Sequence, residues 1–220
     1  MAAMAAMAAM ADKAAGTSYN SLSFFTRIVM SSHNFVSTPA ELDALYGAPS
    51  DSAKRKAIDH LDSLCKRFIS AAPFMLLATA GSDGLDCSPR GDQRGFVEVS
   101  DDHTLLLPDR RGNNRIDSLR NIVHDPRVGL LFLIPGVHQC LRVNGRARIS
   151  IEPLLLQRFA LDDVLPKSVI VITVEQAFAQ CARAIQRAQL WAADLSSEFN
   201  SDCNIDALPG SHTDGLDQSQ

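Results

Sequence analysis

The 220-residue chain lacks the patterns that mark several large classes of protein. Its longest apolar strand-like run, 128–134, is too short to cross a bilayer, so we expect no membrane partner. The net charge of −4 gives no overall basic field, so we expect no nucleic-acid partner either. Its length and its 46% hydrophobic residues suit one globular domain with an ordinary core.

Metal and disulfide patterns are also missing. The six histidines form no HxxH or HxxxH pair, so the sequence predicts no metal site. The five cysteines are odd in number and have no CxxC spacing, which is typical of a reducing compartment. We therefore expect a cytoplasmic protein.

Both ends of the chain differ from the middle. The N-terminal repeat MAAMAAMAAMA has no basic region before it, so it does not fit a secretory signal. We interpret 1–37 as a disordered or leader extension; an organellar transit segment over 1–29 is the alternative. The end of the chain, 196–220, is predicted to be a disordered acidic tail, which leaves 38–195 as the domain. Beyond Trp191 the chain has six carboxylates and no Lys or Arg, so the remainder is slightly basic and suits an anionic ligand.

Hydrophobic periodicity predicts strands alternating with a few helices. At least six short, mostly antiparallel strands joined by tight turns favour a mainly β protein with flanking helices (α+β), a small closed or split β-barrel. The predicted strands are 74–80, 85–89, 95–99, 104–107, 127–134, 139–151 and 168–174. The predicted helices are 39–47, 51–71, one that Asn114 caps with Asp117 at its third position, 153–162 and 175–191.

The stretch 105–134 is the most informative part of the sequence. It contains an apolar strand, a polar loop, the capped helix and a second apolar strand. Backbone N–H groups, a helix dipole and guanidinium groups would meet in that loop, which is how proteins without a Walker-type loop hold a phosphate. We therefore expect a phosphorylated small molecule; the alternative is that these arginines are only solvated surface charge. The loop residues concerned are Arg110, Arg111, Asn113, Asn114 and Arg115.

Three segments carry a resemblance to a known family. They are DCSPRGDQRGFVEV (86–99), LLLPDRRGNNRIDSLRNIVHDPRVGLLFLIPG (105–136) and LRVNGRARI (141–149). Together they resemble the pyridoxamine 5′-phosphate oxidase-like FMN-binding split-barrel family, over roughly 38–191. The resemblance implies a homodimer with two FMN molecules bound in grooves between the subunits.

The resemblance also implies where FMN lies. The phosphate would bind the five loop residues named above, and the ring would lie along the backbone of Gly95, Phe96 and Val97. The alternatives are that Gly95 only marks a β-bulge and that Phe96 is an ordinary core residue. Three residues lead from the preceding strand into the phosphate loop: Leu107, Pro108 and Asp109.

The SPRGDQR loop has two interpretations. In the first, Arg90 and Asp92 have a function: they bind flavin or substrate, or they pair across the dimer. In the second, they belong to a structural Arg–Asp pair that fixes the loop. We count both among the candidate cofactor-binding residues.

The implied function is an FMN-dependent oxidoreductase acting on an unknown small molecule, with NAD(P)H as a candidate electron donor. The sequence identifies no catalytic acid or base. Members that oxidise the vitamin have an Arg-rich C-terminal end, which this chain replaces with GSHTDGLDQSQ. Two alternatives stay open: the same fold with deazaflavin F420 or haem, and a flavin carrier or sensor without turnover.

Overall fold

The computed structural model describes residues 35–51, 56–112 and 114–192. Asn113, the predicted tail 196–220 and most of the predicted extension 1–37 lie outside the described residues. The chain clusters into two compact units, up to Ala48 and from Pro49 onward. The domain limits 38–195 stay a prediction.

The first unit contains the short helix α1 (Pro39–Tyr46), where the sequence predicts one. The Thr38 side chain caps it by accepting a hydrogen bond from the Glu41 backbone N–H, and Pro39 provides a fixed φ at the first position. Gly47, with φ of 70°, ends it. None of its side chains is buried.

The second unit is built on one antiparallel sheet of eight strands. The strand order is β3-β2-β6-β7-β8-β5-β4, and β1 pairs with β8 off this path. The strands are β1 (Ala57–Ile58), β2 (Phe74–Gly81), β3 (Gly84–Gly91), β4 (Glu98–Val99), β5 (Thr104–Pro108), β6 (Arg127–Leu133), β7 (Cys140–Ser150) and β8 (Val169–Gln180). The helices are α2 (Ser63–Ala71), α3 (Asp117–His124), α4 (Pro153–Arg158) and α5 (Arg183–Arg187). The mainly β class with flanking helices is confirmed.

Alternation along the strands creates the core. On β7, Leu141, Val143 and Ala147 are buried, whereas Arg146 and Arg148 on the opposite face are exposed. The same inner face collects large buried side chains from four more strands: Met75, Leu77, Leu105, Leu107, Leu130, Phe132, Ile170 and Ile172. The predicted 139–151 strand therefore alternates between a buried and a more exposed face, apart from Cys140, which is buried.

The predicted helix over 51–71 is wrong over 56–62, whereas 52–55 lie outside the described residues. Ala57 and Ile58 form β1, in register with Phe178 and Ala177 of β8. The helix starts only at Ser63, because the Asp62 side chain accepts a hydrogen bond from the Cys65 N–H at 2.8 Å and caps it there.

The predicted helix over 175–191 is also wrong. Strand β8 continues to Gln180, because β7 and β1 both supply backbone partners to this segment. Within this segment only α5 is helical, with Ile185 buried, and Cys181 between β8 and α5 is exposed. Long-range pairing overrides local helical spacing here.

Two further elements are shorter than predicted. The 95–99 strand shrinks to β4, because Gly95 has a φ of 85° and the Phe96 N–H closes a turn onto the Gln93 carbonyl. The helix predicted to reach 162 ends with α4, and Asp162 and Asp163 follow in left-handed backbone conformations.

Candidate functional site

Two ion pairs join the ends of strands β3 and β5, near opposite edges of the sheet. Arg90 Nη1 lies 3.3 Å from Asp109 Oδ1, and Arg110 Nε lies 2.9 Å from Asp92 Oδ2. Each pair takes one residue from each strand end, so the pairs cross-link the two ends. We call these four residues the β3–β5 corner. The predicted site residues Arg90, Asp92, Asp109 and Arg110 are therefore brought together.

The backbone fixes both sides of this corner. The Asp92 N–H donates to the Pro73 carbonyl at 3.1 Å, and the Asp109 N–H donates to the Ser168 carbonyl at 2.9 Å. The four side chains are mostly shielded, with exposed fractions of 33% for Arg110, 25% for Arg90, 20% for Asp92 and 15% for Asp109. Ion pairs held in this way are better ordered than exposed pairs.

The two arginines of the corner have donors to spare. Arg110 Nη1 donates to the Phe159 carbonyl at 2.8 Å, which ties the end of α4 to the corner. Arg90 Nε is buried and has no hydrogen-bond partner within the part of the chain that the structure describes. A buried donor without a partner costs free energy, so this atom favours an acceptor from outside the protein.

The loop after the corner does not have the predicted capping arrangement. The N-cap of α3 is Ile116, at φ 51°, and it makes no side-chain capping bond. Asn114 also has a positive φ, 58°, so the backbone turns twice and the helix begins at Asp117, which is its first residue rather than its third. The Asn114 amide oxygen instead accepts from Lys167 Nζ at 3.2 Å.

Positive charge exceeds negative charge around this loop. Arg115 Nε contacts Asp117 at 2.9 Å, but the Arg115 side chain is 76% exposed, so the pair is weak. Among residues 35–51, 56–112 and 114–192, no salt bridge involves Arg94, Arg111 or Lys167. The corner and its loop can therefore accept an anion.

The predicted ring residues fall into two groups. Gly95 is exposed, whereas the side chains of Phe96 and Val97 are buried in the core. Leu107 and Pro108 are buried in β5, opposite Ile170 and Val169 of β8. Only Gly95 of this set offers an open surface next to the corner.

Two cavities adjoin these elements. One, of about 190 Å³, is lined by both sides of the corner and the end of α4: Asp92, Gln93, Arg94, Gly95, Phe96, Arg110, Arg158, Phe159, Ala160 and Leu161. The other, of about 500 Å³, is apolar and is lined by Ile116, Leu119, Arg120, Val123 and Ile149. The phosphate-loop residues lie between the elements that form these two cavities.

Sequence reasoning missed a polar cluster beneath α3. Ser118 is buried, and its hydroxyl lies 3.1 Å from Asp86 Oδ2 and 3.3 Å from Ser88 Oγ. Asp86, Ser88 and Arg90 occupy every second position of β3 and therefore lie on the same face of the strand. This spacing of polar residues was the sequence signal that could have predicted the cluster. Lys167 gave no local signal, because only the fold brings it to the loop.

Within the described residues, no group of three or more His, Cys, Asp or Glu side chains could hold a metal ion. No helix in this same part of the chain is long and apolar enough to cross a membrane.

The comparison with protein families decides the assignment. Residues 61–181, more than half of the chain, match the family described as Pyridoxamine 5′-phosphate oxidase. The chain belongs to this family. The match confirms the family resemblance of the three segments between 86 and 149. Together with the antiparallel sheet, it also confirms the split-barrel fold of the pyridoxamine 5′-phosphate oxidase family. No curated protein matches the chain significantly.

Solved structures of several bacterial proteins are similar to this family member. HupZ of Group A Streptococcus is 22% identical, over 54% of this chain and 92% of that one, with a TM-score of 0.44. The General Stress Protein 26 of Bacillus anthracis is 17% identical over 51% and 88%, with a TM-score of 0.39. An FAD binding protein of Mycobacterium smegmatis is 14% identical over 55% and 95%, with a TM-score of 0.38.

Proposed function

We propose that this chain binds FMN and acts as an FMN-dependent oxidoreductase on a small molecule. The observation that carries the proposal is the buried Nε of Arg90, which has no hydrogen-bond partner among the described residues, at a corner whose following loop has surplus positive charge. Membership of a family that binds flavins generally supports the same ligand class.

The phosphate group would be held by the corner and its loop. Arg110 is anchored by Asp92 and by the Phe159 carbonyl, which together use two of its five N–H donors and fix its orientation. Arg111, Asn114 and Arg115 follow on the loop, and Lys167 adds an ammonium group from the segment before β8. Preorganised cations of this kind suit a dianion, because little side-chain entropy is lost on binding.

The remaining elements would hold the rest of the cofactor. Gly95 leaves backbone open beside the corner, and the cavity lined by Arg94 and Phe159 provides space next to it. When bound, FMN supplies the electron and hydride chemistry of its ring, and the protein supplies orientation and electrostatics. No side chain of the corner is assigned as a general acid or base.

A second copy of the chain is part of the proposal. The apolar cavity on α3 and β7 lies directly after the phosphate loop, and Val123 on its wall is 78% exposed. Exposed apolar patches of this kind mark protein interfaces. A homodimer packed here would bring a partner surface close to each phosphate loop.

The test is the identity of the molecule that co-purifies with the protein. We expect a yellow protein with an oxidised flavin spectrum, FMN in the mass spectrum of the released ligand, and bleaching by NADH or NADPH without oxygen. A flavin that no reductant bleaches would leave a binding protein without turnover. Colourless protein that ignores added FMN would contradict the proposal.

A further inference from the structure

The outer face of β7 carries a row of arginines that the proposed flavin site does not use. Arg142, Arg146 and Arg148 project on the side opposite the core, and we call them the arginine stripe. In the described part of the chain, no salt bridge within 4 Å involves any of them. A row of three cations on one strand repels itself unless an anionic partner covers it.

Arg142 has the clearest sign of a missing partner. Its guanidinium lies 5.1 Å from the centre of the Phe178 ring on β8, which covers one side of it. Its Nε is buried, yet it has no hydrogen-bond partner among the described residues. The residue directly opposite Arg142 on β6 is Leu131, and the Leu131 side chain has no atom that can accept a hydrogen bond from the guanidinium group.

The charges near the stripe leave it positive. Arg127, on the neighbouring strand, pairs with Asp125, and Arg146 helps to lower the pKa of Asp125. On β8, Glu175 lies at the register shift opposite Asn144 and Gly145. Counting Asp125 and Glu175 against Arg127 and the three arginines of the stripe leaves two positive charges.

The same chain contains a segment of matching charge. Between 194 and 206 a carboxylate recurs at every fourth position, and no Lys or Arg occurs from 193 to the end. Apolar or sulfur side chains follow three of these carboxylates directly, at Leu195, Phe199 and Cys203. A spacing of four is typical of one face of a helix, on which twelve residues span about 18 Å. The six-residue interval from Arg142 to Arg148 on a strand spans about 20 Å.

The exit point of the chain is at the correct end of β7. Trp191 Nε1 donates to the Val137 carbonyl at 2.8 Å, and Val137 precedes β7 by three residues. The segment that follows Ala192 therefore starts beside the end of β7 nearest to Arg142. A chain leaving at this point can follow the stripe without a long linker.

We propose that residues 194–206 dock along the arginine stripe of their own subunit. The carboxylates pair with the guanidinium groups, one of them satisfies Arg142 Nε, and Leu195 and Phe199 contact apolar side chains beside the stripe such as Leu131. The acidic segment then neutralises the positive charge of the arginine stripe.

The alkylation rate of Cys203 in the full-length protein tests this docking. Peptide-resolved mass spectrometry after iodoacetamide treatment separates Cys203 from the exposed Cys87 and Cys181. We expect Cys203 to react at least fivefold more slowly than in a synthetic peptide of 194–206, and to accelerate in 0.5 M salt because salt screens ion pairs.

A double charge-reversal variant tests whether the arginine stripe itself protects Cys203. Arg146→Glu with Arg148→Glu removes two exposed cations without touching the core, and we expect Cys203 to react at the peptide rate. The control, Arg67→Glu, reverses an exposed charge on α2 and should leave the rate unchanged. Adding Glu198→Arg and Asp206→Arg to the stripe variant should restore protection.

Two results would overturn the proposal. One is a wild-type rate equal to that of the peptide, or one that the stripe variant does not change. The other is protection that grows with protein concentration, which would make a second copy the occupant instead.

Discussion

Arg110 is the residue on which the proposed site depends most, because it connects three parts of the chain. Its side chain bonds Asp92 and the Phe159 carbonyl and leads into the phosphate loop. Arg115, by contrast, has a side chain that is 76% exposed, and its Nε contacts Asp117 at 2.9 Å. Arg110 therefore combines a structural role with a proposed role in ligand binding, whereas Arg115 is assigned the binding role.

We predict that Arg110→Ala and Arg115→Ala both weaken FMN binding far more than riboflavin binding. Each charge-assisted contact with the phosphate is worth about 1.5–3 kcal/mol, or roughly ten- to hundredfold in Kd. Arg110→Ala should also lower the free energy of unfolding by about 1–3 kcal/mol, because Asp92 and the Phe159 carbonyl lose their partner. Arg115→Ala should leave stability nearly unchanged.

Flavin fluorescence titration and urea denaturation measure the two effects. Arg67→Ala, on the exposed side of α2, is the matched control and should change neither. Equal losses for FMN and riboflavin would show that the loop does not hold the phosphate.

Cys65 gives a prediction about alkaline stability. Burial, followed by the hydrogen bond and charge of Asp62, raises the pKa of the Cys65 thiol from 9.0 to about 11. Since the folded thiol keeps its proton longer than the unfolded one, its contribution is fully present below pH 9 and is lost as the pH rises through about 11. We expect the difference in unfolding free energy between wild type and Cys65→Ala to shrink between these pH values.

Denaturation curves at pH 8, 9, 10 and 11 check this. Cys87→Ala, at an exposed thiol, is the control and should show no such trend. A difference between wild type and Cys65→Ala that stays constant across the range would contradict the buried-thiol account.

At the scale of elements, two glycines set how closely neighbouring segments approach. A Cβ on Gly145 would lie 2.1 Å from the Thr173 backbone oxygen, at the register shift between β7 and β8. A Cβ on Gly81 would lie 2.0 Å from the side-chain oxygen of Asn121, which packs α3 against β2. Backbone cannot move away as easily as a side chain.

We predict that Gly145→Ala destabilises the protein more than Gly81→Ala. Overpacking costs about 1–3 kcal/mol and occasionally more, and Gly145→Ala should reach the upper end because two strands must separate. Gly112→Ala, with nothing within 4 Å of the new Cβ, is the control. The midpoints of urea unfolding test the order, and a smaller loss for Gly145→Ala would contradict it.

The elements also show which local patterns predict structure and which do not. Alternation along β7 and the hairpin between β2 and β3 were predictable, because side-chain period and turn glycines are local properties. The strand segments inside the predicted helices 51–71 and 175–191 were not predictable, because Ala57–Ile58 and Ala177–Phe178 form strands by pairing with each other across the fold. Residues that suit both a helix and a buried strand follow the partner that is available.

Four of the predicted site residues meet at the β3–β5 corner, but their contacts could not be predicted, and cofactor binding there stays a prediction. Arginines 110, 111 and 115 stand out in the sequence, and the corner contains Arg90, Asp92, Asp109 and Arg110 as candidates. Which arginine pairs with which aspartate depends on β3 and β5 ending near each other, a property of the whole sheet. Lys167 reaches Asn114 for the same reason.

At the scale of the whole molecule, we predict a dimer at micromolar concentration. Val123, exposed on the apolar cavity, would be buried between subunits, so Val123→Asp should shift the protein toward monomer and weaken FMN binding with it. Sedimentation velocity measures the first effect. Leu64→Asp, at a residue 68% exposed on α2, is the control; a monomer that binds FMN fully would refute a shared site.

The comparison of FMN and riboflavin as ligands of the same ligand-free protein tests the central claim most directly. The two molecules differ only in the phosphate group, so the ratio of their dissociation constants isolates what the β3–β5 corner and its loop contribute. Isothermal titration at low ionic strength should give FMN at least tenfold tighter binding, with the advantage shrinking as salt increases. Equal affinities at every salt concentration would contradict the assignment of the corner as the phosphate site.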